Sequence, residues 1–175
     1  MKRLQIVANM DTISFGKQAR EAIKSGDSAT LEKLLRLEPQ RINELTIFGS
    51  LLHVAAGEGN IPAIEHLLKM GADINLRGGA FEAGPIMYAV SDGHLEAAEY
   101  LLAHGARMET DEPFRNPLFS AVYNDNLAMV HMLVREGIDF RIRYNGDNMK
   151  DVDAQTHARN LGRDAIAQYL AALEK

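Results

Sequence analysis

One spacing constrains this chain more than any other feature. Gly26, Gly59, Gly93, Asp125 and Gly162 follow one another at steps of 33, 34, 32 and 37 residues. Four residues before each marker stands an alanine: Ala22, Ala55, Ala89, Ala121 and Ala158. Eight residues after each stands a leucine: Leu34, Leu67, Leu101, Leu133 and Leu170. The next position reads Leu35, Leu68, Leu102, Val134 and Ala171, and the middle three units add a second glycine at Gly71, Gly105 and Gly137. A period of this length marks supersecondary units that stack because one unit alone buries too little apolar surface to offset chain ordering.

Each unit reads as two short helices and a connector. In the second, Leu51-Leu52-His53-Val54-Ala55-Ala56 places apolar residues along one side of a helix. Gly59-Asn60 breaks it, since glycine accepts the turn conformation at little cost. Pro62 fits the first turn of the following helix, Ile64, Leu67 and Leu68 continue at helical spacing, and Gly71 ends it. Alanine in its column lets two antiparallel helices approach closely. Leucine fills the space between units, each burial being worth roughly 1.5–3 kcal/mol.

On these residues the chain resembles the ankyrin-repeat family. Ser50-Leu51-Leu52-His53-Val54-Ala55-Ala56, Gly84-Pro85-Ile86-Met87-Tyr88-Ala89 and Asn116-Pro117-Leu118-Phe119-Ser120-Ala121 are similar to the family's Thr-Pro-Leu-His-x-Ala segment. Gly93-His94, Gly71-Ala72-Asp73-Ile74-Asn75 and Gly105-Ala106 match its turns. The resemblance covers residues 15–173 and implies an all-α fold, an ankyrin-repeat solenoid of helix-turn-helix units with short β-hairpin-like fingers. We expect a lead-in over residues 1–14 and one repeat domain over 15–175, with units near 15–45, 46–78, 79–111, 112–145 and 146–175. The chain departs from the family in its ladder of hydroxyl–imidazole bonds. Only His53 is kept, with Met87, Phe119 and Thr156 at the equivalent places, and the family's threonine is Ser50, Gly84, Asn116 and Asp153. Modest stability in the middle follows, compensated by apolar packing of Met87 and Phe119. Arg20, Glu21, Lys24 and Glu38-Pro39 at one end, and Gln155, Thr156, Arg159 and Asn160 at the other, read as polar caps of a complete, short, five-unit solenoid.

Composition limits what such a solenoid can do. The 175 residues are 46% hydrophobic and 25% charged, an ordinary globular balance. The absence of cysteine excludes disulfides, thiolate metal sites and a cysteine nucleophile. No apolar run reaches the ~18 residues of a membrane span. The start, Met1-Lys2-Arg3-Leu4-Gln5-Ile6, lacks the apolar stretch of a secretion signal, so a cytoplasmic protein is expected. The net charge of −5 is uneven: residues 1–45 carry +2, residues 46–137 carry −7 and residues 138–175 balance. An acidic centre repels phosphate backbones and argues against nucleic acid as partner; it suits a basic protein surface.

No catalytic constellation emerges. Gly57-Glu58-Gly59-Asn60 superficially suggests a dinucleotide loop but lies at a helix-to-helix turn rather than after a strand. The six histidines (His53, His66, His94, His104, His131 and His157) lack zinc-motif spacing, with His53 and His94 read as structural. Asp147, Asp151 and Asp153 do not follow the order of a calcium loop. Neither a cofactor nor a metal nor catalytic residues are therefore expected.

The candidate contact residues come from two places. At the ends of the first helices, Lys24-Ser25, Gly57-Glu58, Ser91-Asp92, Tyr123-Asn124 and Asn160-Leu161 differ from unit to unit, as exposed, partner-specific positions do and packing positions do not. In the connectors, Phe48, Phe81 and Phe114 recur at 33-residue steps, with Phe81 one residue out of register with its marker. Glu109, Asp111 and Glu112 flank Phe114 and Arg115, and would give the rim a negative field that steers a basic partner. The last connector carries four residues beyond a 33-residue step, and Asn145-Gly146 within it signals a two-residue hairpin turn. That hairpin would project Arg141, Arg143 and Tyr144. The partner-binding set is thus Phe48, Glu58, Phe81, Ser91, Asp92, Phe114, Arg115, Tyr123, Asn124, Arg141, Arg143 and Tyr144.

The resemblance implies a non-catalytic protein-protein interaction module that uses its concave face and finger loops, as a monomer rather than a homo-oligomer, without nucleic acid or membrane. A narrower alternative is an immunity or antitoxin-type inhibitor of a basic toxin domain, in a bacterial setting. An enzyme is a remote alternative.

Overall fold

The structure, a computed structural model, describes residues 12–146 and 149–174. Residues 1–11 of the expected lead-in, Asp147 and the chain end lie outside them. Five helix pairs follow in order. They are α1 (Thr12–Ser25) with α2 (Ser28–Leu37), α3 (Leu51–Gly57) with α4 (Ile61–Lys69), α5 (Pro85–Ser91) with α6 (Leu95–Ala103), α7 (Pro117–Tyr123) with α8 (Leu127–Arg135), and α9 (Ala154–Asn160) with α10 (Asp164–Ala172). The first helix of each pair packs on the first helix of the next, and the second helices pack on one another, so two helical layers run the length of the stack. The only paired strands among the described residues are β1 (Tyr144–Gly146) and β2 (Met149–Val152).

The repeat columns explain this packing residue by residue. The alanine column is fully buried in units two to five, with 5% exposure at Ala22. The leucine column shows 5% exposure at Leu34 and none at Leu67, Leu101, Leu133 and Leu170. The following column is buried only at Leu35; Leu68, Leu102, Val134 and Ala171 are half-buried, so the second buried row between units is Leu31, Ile64, Ala98, Val130 and Ala167. The five markers all adopt positive φ, from 56° at Asp125 to 81° at Gly93. That conformation costs an L-residue roughly 1–2 kcal/mol and glycine almost nothing, which accounts for four glycines of five.

Polar side chains join the units where helix ends leave carbonyls unpaired. Asn60 caps α4 by accepting from the Ala63 amide at 3.0 Å and donates to the Ile23 carbonyl one unit back at 2.6 Å. Asn124 donates to Ser91 O at 2.9 Å and Arg163 to Tyr123 O at 3.1 Å. On the loops, Asn43 accepts from the Asp73 amide at 2.8 Å, and Asn75 repeats this with the Arg107 amide at 2.8 Å while donating to Gly105 O.

His53 forms the one imidazole rung expected. It is fully buried; its Nδ1 accepts from the Ser50 amide at 3.0 Å, and its Nε2 lies 3.0 Å from the Ala83 carbonyl of the next unit. Burial lowers its pKa, against the pull of the carbonyls at Ala83 and Leu76. Met87 and Phe119 occupy the equivalent places with 3% and 4% exposure, so apolar packing replaces the rung.

The fourth connector departs from the expected hairpin. Gly146 pairs with Met149 and Tyr144 with Val152, so Asn145 and Gly146 belong to the strand and do not form the expected turn. The register slips by one residue, with Asp151 at φ 55° and its amide held by the Asn145 side chain at 2.9 Å. Asn145 therefore stabilises a bulge rather than a turn.

Candidate functional site

The first helices and the connectors share one face. Connectors bring finger tips over it by different means. Thr46 and Gly49 exchange both backbone hydrogen bonds, which leaves Ile47 and Phe48 at the tip with 82% and 50% exposure. In the next finger Gly78 and Ala83 pair around a short 3-10 turn, Gly79–Phe81. The longer loop swings Phe81 inward, and its ring packs edge-on against Tyr88 with centroids 5.2 Å apart. Phe114, in the third finger, stays 52% exposed.

Two grooves lie along this face. The first, about 260 Å³, runs between the first two fingers and is bounded by Arg20, Lys24, Phe48, Glu58, Tyr88 and Asp92. Its charges face one another. Lys24 pairs with Glu58 at 3.2 Å, and the Arg20 guanidinium lies 4.6 Å from the centre of the Phe48 ring. Burial pushes the Asp92 carboxyl up, opposed by the charge of His94 and reinforced by that of Glu58. Gly57, helical and therefore costly by ~1 kcal/mol relative to alanine, leaves open the space where a Cβ would stand 2.9 Å from Asp92 Oδ2.

The second groove, about 440 Å³, spans the third to fifth units and is lined by Phe81, Met87, Ser91, Pro113, Phe114, Phe119, Ser120, Tyr123, Asn124, Met149 and His157. Its lining contains no carboxylate, lysine or arginine. His157 stacks on Phe119 with centroids 4.8 Å apart, and burial lowers its pKa. Tyr123 is 64% exposed.

The family model for ankyrin repeats (3 copies) matches residues 20–112 and again 52–144, which together span most of the chain. The chain belongs to the ankyrin-repeat family. Similar proteins carry such repeats in varied settings. A transient receptor potential cation channel subfamily A member 1 homolog from Caenorhabditis elegans is 28% identical over 115 residues, 65% of this chain and 9% of that protein. The human protein phosphatase 1 regulatory subunit 27 is 36% identical over 89 residues, 48% of this chain and 54% of that protein. A palmitoyltransferase AKR1 from Kluyveromyces lactis is 30% identical over 115 residues, 62% of this chain and 15% of that protein. The chain thus spans well under two thirds of the length of these relatives. No described helix is long and apolar enough to cross a membrane.

Within the ankyrin stack, the expected contact residues divide. Phe48, Glu58 and Asp92 line the first groove and Phe81, Ser91, Phe114, Tyr123 and Asn124 the second. The other four face elsewhere. Tyr144 is 8% exposed, contrary to a projecting contact; its hydroxyl donates to Thr110 O at 2.7 Å and accepts from Asn116 Nδ2 at 2.9 Å. Arg143 is clasped by Asp151 and Asp153, each at 2.7 Å, which also gives those carboxylates a structural role. Arg115 pairs with Asp111 at 2.8 Å and lies over the Phe114 ring. Arg141 is exposed, 4.7 Å from the Phe140 ring centre.

The rim is also less negative than its acid count suggests. Arg77 pairs with Glu109 and Asp111, each at 3.1 Å, and hydrogen bonds from Arg115 and Arg77 hold the Asp111 pKa down at about 2. Met149 and His157 were missed as groove residues because each enters from an element whose packing, not its own pattern, aims it there.

Proposed function

We propose that this chain is a non-catalytic protein-binding module that holds a partner on the concave face made by its fingers and first helices. The observation that carries the reading is the alignment of two grooves, about 260 and 440 Å³, along a single face that also holds the exposed rings of Phe48, Phe114 and Tyr123. Rigid aromatics anchored at one end dominate interface energies, and the first helices behind them are fixed by fully buried alanines. The test is a Phe48→Ser/Phe114→Ser/Tyr123→Ser variant used as bait in pull-downs. Loss of the captured partner with an unchanged circular dichroism spectrum supports the groove, and undiminished capture contradicts it.

An inhibitor of a basic toxin domain is the narrower reading. On this face its electrostatic support is thin, because Lys24, Arg77 and Arg115 pair with Glu58, Glu109 and Asp111. We therefore rank electrostatic capture of a basic surface below apolar capture in the grooves.

A further inference from the structure

We propose that the second groove takes an uncharged, apolar-anchored segment of a partner protein and excludes charged side chains; this rests on the protein-binding reading above. The first observation is the composition of its walls. A quarter of the chain is Asp, Glu, Lys or Arg, yet none of these lines the groove, whereas the adjacent first groove has four. Both grooves lie on the same face and are built by the same repeat positions, so the difference is a difference of chemistry and not of architecture. A buried charge without a partner is costly, and these walls hold no counter-ion for one.

The second observation is what the walls do offer. Phe114 and Tyr123 are large, half-exposed rings, Phe119 and Met149 supply apolar floor, and Met fits irregular occupants well. Among the described residues the hydroxyls of Ser91, Ser120 and Tyr123 have no protein hydrogen-bond partner. They are free to meet backbone amides and carbonyls of an extended segment. That is the pattern of a site with an apolar anchor and neutral polar orientation points. The volume, about 440 Å³, accommodates a few side chains rather than one.

The nearest acids reinforce the selection without entering the groove. Glu109 and Asp111 are tied to Arg77, and Asp111 also to Arg115, so of the three acids flanking Phe114 Glu112 alone carries no ion pair among the described residues, and it does not line the groove. The first groove, with Arg20 and the unpaired Asp92, would take the polar flank of the same segment.

The test uses the full chain and a phage-displayed library of random 12-residue peptides. The expected result is enrichment of peptides with a Phe, Leu, Met or Trp anchor lacking charged neighbours. A synthetic copy of the best peptide should shift the amide resonances of Ser91, Ser120 and Asn124. Tyr123→Asp should weaken that peptide at least fivefold more than Tyr123→Asn, which removes the same ring without adding charge. Glu96→Lys, on the exposed side of α6 and outside both grooves, should change affinity less than twofold. Tyr123 is exposed, so both variants keep the fold, which urea denaturation verifies. Equal loss in the two Tyr123 variants, or enrichment of peptides with a charged anchor that shift the same resonances, overturns the proposal. Shifts confined to Arg20, Glu58 and Asp92 overturn it but leave the concave-face reading standing. Peptides that bind neither groove, or a chain that occupies the groove with a second copy of itself in sedimentation, overturn both.

Discussion

Replacing Tyr144 by phenylalanine deletes one oxygen and leaves a buried amide and a half-buried carbonyl without that partner. The hydroxyl donates to Thr110 O and accepts from Asn116 Nδ2, and Asn116 is only 1% exposed. Its side-chain oxygen is already used, accepting from the Leu118 amide at 2.8 Å, so Asn116 has little freedom to turn toward water. An unsatisfied buried polar group costs about 1–3 kcal/mol; with the Asn116 amide buried and the Thr110 carbonyl half-buried we expect a loss of about 2 kcal/mol. The ring itself stays, including its edge contact with Phe119 at 4.9 Å between centroids, so no cavity adds to the cost. For a chain of this length that corresponds to a fall of roughly 4–8 °C in the thermal midpoint. Circular dichroism melting and urea titration measure it. Repeat stacks need not unfold in one step, so hydrogen exchange should also place the lost protection around the fourth connector and α7. A Tyr144→Phe protein within about 0.5 kcal/mol of the parent would refute the reasoning. So would a substantial loss of partner capture by a folded variant, because the hydroxyl faces inward.

Three further outcomes are expected. Gly59→Ala should cost about 2 kcal/mol or more, because its φ is 62° and the new Cβ would stand 2.6 Å from His94 Nδ1. Gly71→Ala, at φ 94° with nothing within 4 Å, should cost only about 1 kcal/mol, and urea midpoints compare the two. His53 and His157 both have pKa values lowered by burial. The unfolded chain therefore binds their protons first as pH falls, so stability is full above the ordinary histidine value and declines below ~6.5. Urea midpoints at pH 7.5 and 5.5 measure that decline, and His157→Phe should flatten it. Finally, Asp125→Ala should destabilise by about 1 kcal/mol while Asp125→Gly does not, since φ at this marker is 56° and the Arg163 contact at 3.7 Å is exposed.

The fold was legible because packing repeats. Ala55 and Leu67 recur in every unit since every unit meets the same neighbours, and the marker column recurs since every first helix ends in the same left-handed turn. The candidate site was legible only where exposure varies freely: Phe48, Phe114, Tyr123 and Asn124 reached the groove side, as their position at finger tips and helix ends implied. Tyr144 went wrong for a readable reason. Alternation over Arg141-Ile142-Arg143-Tyr144 puts the tyrosine on the side of Ile142, which is half-buried, and opposite the arginines. Phe81 followed the 33-residue step, but a longer finger turned it against Tyr88. The pairing of Arg77 and Arg115 with the rim acids depends on contacts across a connector and between units, which no local pattern records. Nor does the asparagine pair, Asn43 and Asn75, show its purpose until the loops it joins are seen side by side.

Hydrogen exchange with and without a partner captured in the pull-down tests the central claim most directly. The account expects new protection at the finger tips around Phe48 and Phe114 and at the ends of α5 and α7, with α4, α6 and α8 unchanged. Protection confined to those second helices would contradict it.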